Sequence, residues 1–368
     1  MLHSKVVGGS TAKRVMKCPA SVALAAAAPP LPTSDYAREG TLLHEIMAQV
    51  YGANKAPEAL LGVKLDGVEF TQELLNEKIH PAVALFDTIQ GEMDILVERR
   101  VDFGDALPGV FGSCDILGRV DNRLFVVDWK FGSGVAVTAE DNPQLLFYAA
   151  AAIRSLPKFV AGVTEVELVI IQPPKMTRWI TTIDRVRFFE RELQFAVKLS
   201  QREAPPMAAG DWCGWCPAKA SCPAHTAVAE RAMRTSLDKV DVDTLSEWLT
   251  KADMLDDWIK ALRAQAFQVA EHRQIPGWKL VPKRGTRRWV NEDVVADTLS
   301  RVMAYGELFE TSLLSPAQME KKLKKIGQVL PADLAVSVSS GTTLVPDSDP
   351  REPALLIGSS LVKALGKL

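Results

Sequence analysis

The chain has 368 residues, 47% of them hydrophobic and 24% charged, the balance of an ordinary globular protein with room for two or three domains and a sizeable core. A formal net charge of −2 excludes a globally basic nucleic-acid binder, so any such surface has to be a local patch. No stretch approaches the roughly 20 apolar residues of a bilayer span, and the expectation is no membrane partner and a cytoplasmic, reducing setting.

The first thirty residues place basic side chains before an alanine-rich run. That run is short, weakly apolar and followed directly by Pro29, Pro30 and Pro32, so it is read as part of the fold and not as a signal peptide. EGTLLHEIMAQVYG (39–52) spaces Leu42, Leu43, Ile46, Met47 and Val50 as a helix does, and a helical pattern recurs over 71–93. The period then changes. DILVERRVDF (94–103) reads as a strand, 104–109 as a Gly/Pro loop, and GSCDILGRV and LFVVDWKFG as two strands about a turn at Asp121–Asn122–Arg123. NPQLLFYAAAAI (142–153) is a helix with Pro143 in its first turn. EVELVIIQPP (165–174) is a buried strand closed by prolines, RWITTIDRV (178–186) another strand, and 187–203 a helix. This order gives a mixed α/β unit that ends at a cysteine cluster. Beyond it, 243–273 is a long helical stretch with room for one break, MEKKLKKIG (319–327) the polar face of a helix, and 346–353 a loop. The expected organisation is an α/β domain over 1–230, a helical extension with a basic segment over 231–290, and a small C-terminal region over 291–368.

In GSCDILGRVDNRLFVVDWKFGSG, Asp115 lies on the first strand of the hairpin and Asp128 with Lys130 on the second. Residues two apart on a strand share a face, so Asp128 and Lys130 point the same way and Asp115 can meet them across the hairpin. Two converging carboxylates repel unless a cation lies between them, and a hard divalent ion such as Mg²⁺ or Mn²⁺ is the natural occupant. A lysine beside it can orient or deprotonate a water, or stabilise charge developing on a phosphate. An Asp-x-Lys alone is more often a surface ion pair at a strand end. Gln144 and Tyr148, four apart on the next helix, and His44 on the first helix add to the set. Cys114, next to Asp115, is expected to point into the core.

Cys213, Cys216 and Cys222 form C-x2-C-x5-C, a metal-ligand spacing in a reducing setting. Two donors compete for the fourth place. Cys18 is followed by a proline, as are Cys216 and Cys222. His225 would complete a local zinc site with Cys213, Cys216 and Cys222. On the spacing alone, zinc and iron–sulfur both remain open.

The ordered set His44, Gly112-x2-Asp115, Asp128-x-Lys130 and Gln144-x3-Tyr148 resembles the PD-(D/E)XK nuclease superfamily, RecB-type branch. The resemblance covers approximately residues 10–225 and implies a restriction-endonuclease-like core: a mixed central β-sheet flanked by helices, here with a mainly helical C-terminal extension. It further implies that His44, Asp115, Asp128 and the main-chain carbonyl of Trp129 hold the metal, that Asp115, Asp128 and Lys130 are catalytic, and that Gln144 and Tyr148 lie near the DNA path. The second acid is Asp128 where Glu is commoner. One cysteine before the core and three after it resemble the iron–sulfur members of that branch, the AddB-type nuclease and the CRISPR-adaptation exonuclease. This implies a 4Fe–4S cluster on Cys18, Cys213, Cys216 and Cys222, a staple closing a long loop. Less specifically, the chain is similar to a phage and prophage family that shares its KCPAS box, which would place it in a bacterial host cell.

Between Arg273 and Trp289, the cations Lys283, Arg284, Arg287 and Arg288 stand among others with no acid, and Trp278 and Trp289 are interleaved. Cations for phosphates and rings for bases suit single-stranded nucleic acid; a solvated basic hairpin anchored by tryptophan is the plainer reading. The expected function is therefore a metal-dependent DNA nuclease, an exonuclease on single strands or free ends in phage-type recombination, repair or replication, with room for a helicase or recombinase partner. The alternatives are a non-catalytic nucleic-acid-binding accessory protein with a nuclease-like fold and a zinc-stapled interaction module.

Overall fold

The computed structural model describes residues 4–29, 34–132, 136–233 and 242–272, together with 275, 276 and 278. After a 3-10 turn at Gly9–Thr11 come two short helices, α1 (Ala12–Lys17) and α2 (Ser21–Ala27), the second of which takes up the alanine run. Helix α3 (Asp35–Gly52) begins where the Ser34 hydroxyl accepts the Ala37 amide, which satisfies one of the donors that a helix start leaves open. A small hairpin, β1 (Lys64–Leu65) with β2 (Val68–Glu69), leads to α4 (Gln72–Leu74), a π turn at Leu75–Ile79 and α5 (His80–Gln90). The helical stretch read over 71–93 therefore widens just before Pro81, and a wider turn relieves the clash of a proline ring with the carbonyl four residues earlier.

Five strands follow: β3 (Asp94–Asp102), β4 (Phe111–Val120), β5 (Arg123–Trp129) and, after α6 (Pro143–Ser155), β6 (Glu165–Gln172) and β7 (Lys175–Thr182). They lie side by side in chain order. Neighbours are antiparallel except β5 and β6, which run parallel because α6 carries the chain back between them. Helices α7 (Ile183–Ser200), α8 (Pro223–Met233) and α9 (Val242–His272) complete the description. Strand β7 ends earlier than its β-rich sequence suggests, because Thr182 caps α7 by accepting the Arg185 amide. Helix α9 runs without the break that the sequence allowed, and Trp258 Nε1 ties it to the Ala220 carbonyl at 3.2 Å. The described residues up to Pro276 belong to one compact unit.

Apolar side chains fill both faces of the sheet. Val15, Leu124, Val126, Leu145, Leu146, Leu168 and Phe189 pack on the face covered by α1, α6 and α7. Leu42, Ile46, Phe86, Phe125, Val127, Trp129 and Ile171 pack on the face covered by α3 and α5. Burial on both sides explains why β5 reads as an unbroken apolar run and not as an alternation. Charges at the end of such a strand are costly to bury unless something compensates them. One internal example is fully satisfied: Glu167, on β6, is held between Arg123 and Arg178.

Candidate active site

The site forms where β5 leaves the sheet and β4 enters it, and it depends on a fault in the pleat. Along β3, Ile95 and Val97 face the α3 side, yet Val101 faces the α6 side; along β4, Cys114 and Ile116 fall on opposite faces although they are two residues apart. A regular strand would keep each pair together. The register is unchanged across the fault, with Val97 opposite Ile116 and Arg99 opposite Cys114, so Glu98 and Asp115 face one another at the point of reversal. Glu98 has φ +46°, a left-handed conformation that costs a non-glycine residue roughly 1–2 kcal/mol. The Ser113 hydroxyl holds it, donating within 3.2 Å of both the Glu98 carbonyl and its carboxylate.

Asp115 gains from the reversal, because it can be reached from both faces. The Trp129 amide donates to its Oδ2 at 2.7 Å, and His44 Nδ1, from α3, lies 3.3 Å from its Oδ1. Phe131 supports the imidazole edge-on. Burial pulls the His44 pKa down, but the charge and hydrogen bond of Asp115, with Asp128 behind, outweigh it and raise it to about 9. Burial, reinforced by the Asp115 charge, lifts Glu98 to about 7. Ligand atoms of His44, Glu98 and Asp115 all lie within 4.8 Å of one another. Two carboxylates and an imidazole so gathered make a donor set that a divalent cation fits.

Asp128 belongs to a neighbouring constellation. Its Oδ1 accepts from Gln144 Nε2 at 2.7 Å, and Lys130 Nζ stands 2.5 Å from its Oδ2 as an ion pair without hydrogen-bond alignment. Burial raises the Asp128 pKa; for Lys130, burial acts to lower it, but the Asp128 charge prevails and raises it. Lys130 therefore stays an ammonium, which suits it to stabilising charge and not to taking a proton from water. The other end of the Gln144 amide accepts from Lys130 Nζ at 3.1 Å. Gln144 thus holds the acid and the lysine together. Its place is set by Asn142, whose side chain accepts the Gln144 and Leu145 amides at the start of α6.

Tyr148 stands one turn further along α6, 3.4 Å from the Gln144 amide nitrogen. Two glycines make room for it. A Cβ on Gly9 would come within 2.5 Å of the Tyr148 ring, and one on Gly112 within 2.9 Å. The glycine of the Gly112-x2-Asp115 motif is thus a matter of space and not of backbone freedom.

His44, Asp115, Asp128, Lys130, Gln144 and Tyr148 all line one cavity of about 550 Å³. Sequence reasoning missed Glu98, which lines the same cavity. Its signal was an acid inside the apolar run of β3, seventeen positions before Asp115 and opposite it once the loop at 104–109 is folded. Trp129 presents its amide to Asp115 and buries its ring beside Phe86. Cys114 is buried, as expected. Lys283, Arg284, Arg287 and Arg288 lie outside the described residues, as do 319–327 and 346–353.

A second, smaller cavity is lined by Cys18, Cys213, Cys216, Cys222 and His225. Segments about two hundred residues apart are brought together there by the Ala20 amide on the Pro206 carbonyl, Arg14 on the Trp215 carbonyl and an ion pair of Lys13 with Asp211. All four thiols are free and buried. Neither nitrogen of the buried His225 ring has a hydrogen-bond partner. These donors suit a thiophilic metal group. Among the described residues, no three of them bring ligand atoms within 4.8 Å of one another, whereas the sulfurs of one tetrahedral zinc site, about 2.3 Å from the metal, would stand about 3.8 Å apart.

A family model described as "Protein of unknown function (DUF2800)" matches residues 3–352, and the chain belongs to that family. Among solved structures, "Crystal structure of SSO0001" is 16% identical, with 61% of this chain and 89% of that one covered at a TM-score of 0.27. "Crystal Structure of LHK-Exo in complex with dAMP" is 12% identical, with 52% of this chain and 91% of that one covered at a TM-score of 0.20. Scores this low do not establish a shared fold. Among the described residues, no helix is long and apolar enough to cross a membrane.

Proposed function

We propose that this protein is a metal-dependent DNA nuclease of the RecB-type PD-(D/E)XK kind, acting on single strands or free ends. One observation carries the reading: residues of α3, β3, β4 and α6 and of the end of β5, including all seven named positions of the motif, line one cavity. A Mg²⁺ or Mn²⁺ ion held by His44, Glu98 and Asp115 would supply Lewis acidity toward a phosphodiester. Asp128 and Gln144 fix the Lys130 ammonium at the same cavity, where it stabilises negative charge on the phosphate oxygens. Tyr148 forms the wall beside them. In the same proposal, Cys18, Cys213, Cys216 and Cys222 hold a 4Fe–4S cluster as a structural staple; their wide spacing favours it over a single zinc ion.

The test is digestion of end-labelled single- and double-stranded DNA with Mn²⁺, with Mg²⁺ and with chelator. Cleavage that needs the ion and is lost in Lys130→Ala, with the melting temperature kept, is the expected result. DNA binding without cleavage under every condition would defeat the proposal in favour of a non-catalytic accessory protein.

A further inference from the structure

The cysteine cavity holds one donor too many. Four thiols suffice for a four-iron cluster, yet His225 also lines the cavity, 2% exposed, with both ring nitrogens unpartnered. A buried polar group without a partner costs roughly 1–3 kcal/mol, so a ring with two such atoms marks a place where something is bound. Its position is built in. The Thr226 amide bonds to the Cys222 carbonyl at 3.0 Å, so Cys222 is the N-cap of α8, and the residue three positions on lies on the same side of the helix start.

We propose that His225 is a positioning residue of the thiol site, one ring N–H donating a hydrogen bond to a thiolate or sulfide of the bound cluster. This rests on the four-cysteine cluster reading above and not on the nuclease reading. A hydrogen bond to sulfur stabilises the more negative, reduced state, so its removal lowers the reduction potential. Phenylalanine removes the donor while filling the space; glutamine keeps a donor.

The experiment uses the full chain purified without oxygen, with iron, sulfide and zinc measured and the cluster midpoint followed by redox titration with EPR. The expected result is equal iron and sulfide content in wild type, His225→Phe and His225→Gln, with a more negative midpoint in His225→Phe alone. An unchanged midpoint in His225→Phe overturns the proposal. Loss of iron from His225→Phe as complete as from Cys222→Ala overturns it too, by making the imidazole a ligand. Zinc in the wild type, with Cys18 open to alkylation in the native protein, overturns both this and the cluster reading, whatever the DNA-cleavage assay reports.

Discussion

In the carboxylate cavity nearly every buried polar atom has a partner from the protein itself: Trp129 and His44 on Asp115, Ser113 on Glu98, Gln144 and Lys130 on Asp128. In the thiol cavity, His225 has none and four buried free thiols line the same cavity. On the proposal above, the first region would fold before an ion arrives, whereas the second would rely on what it binds. Metal should therefore be exchangeable at the carboxylates and structural at the cysteines, since a group that binds only the folded chain adds its binding free energy to stability.

The sharpest break in this contrast comes from Asp115→Ala. It should reduce DNA cleavage by at least about 10³-fold and abolish Mn²⁺ binding measured by calorimetry, while the melting temperature stays close to wild type. A large fall in melting temperature would show that Asp115 is structural and that the two regions do not differ. Cys213→Ser should do the opposite: it removes a clip between distant segments and lowers the melting temperature by on the order of 10 °C, as should anaerobic removal of the metal group. Chelation of Mg²⁺ or Mn²⁺ by EDTA should leave that temperature nearly unchanged.

Gly112→Ala sharpens the comparison within the first region. Its Cβ would press on Tyr148 and Phe147, an overpacking worth about 1–3 kcal/mol. Cleavage should weaken by about tenfold while Mn²⁺ affinity, measured separately, holds. The smallest effect is on pH dependence. Without metal, Glu98 titrates near 7 in the folded state against 4.5 for an ordinary glutamate, and His44 near 9 against 6.5. Both folded values are raised. Glu98 thus contributes stability that is full below about 4.5 and lost as pH rises through 7, and His44 stability that is full below about 6.5 and lost through 9. The metal-free melting temperature should fall from pH 5 to pH 9, and Glu98→Gln should flatten the lower part of that slope. A flat profile in the wild type would remove the charge crowding from the account.

Much of this was legible in the sequence, for different reasons at different residues. The apolar run before Asp128 announced a central strand, and Asp128-x-Lys130 share a face by strand geometry alone. Gln144 and Tyr148 share a helix face by their spacing, and Pro143 marked the first turn of that helix. Glu98 was hidden because strand periodicity assumes an unbroken pleat, and the pleat reverses at that residue. Gly112 was read as part of a motif, and only packing shows that Tyr148 requires it. The split of the acids into His44–Glu98–Asp115 and Asp128–Lys130–Gln144 is likewise a matter of which oxygens find partners, which spacing cannot encode. The start of α7 was misplaced because Ile183 and Val186 prolong the β-favouring run of β7, while a single hydroxyl on Thr182 ends the strand.

Helix α1 has six residues, about 9 Å of rod. Its leading turn carries Gly9, pressed on Tyr148, and its trailing end carries Cys18. The two cavities therefore share a strut, and damage at the sulfur end would reach the tyrosine wall without any residue of that wall being altered. Preparations kept under nitrogen and preparations left on an open bench would then differ at the very place where no oxidisable ligand sits.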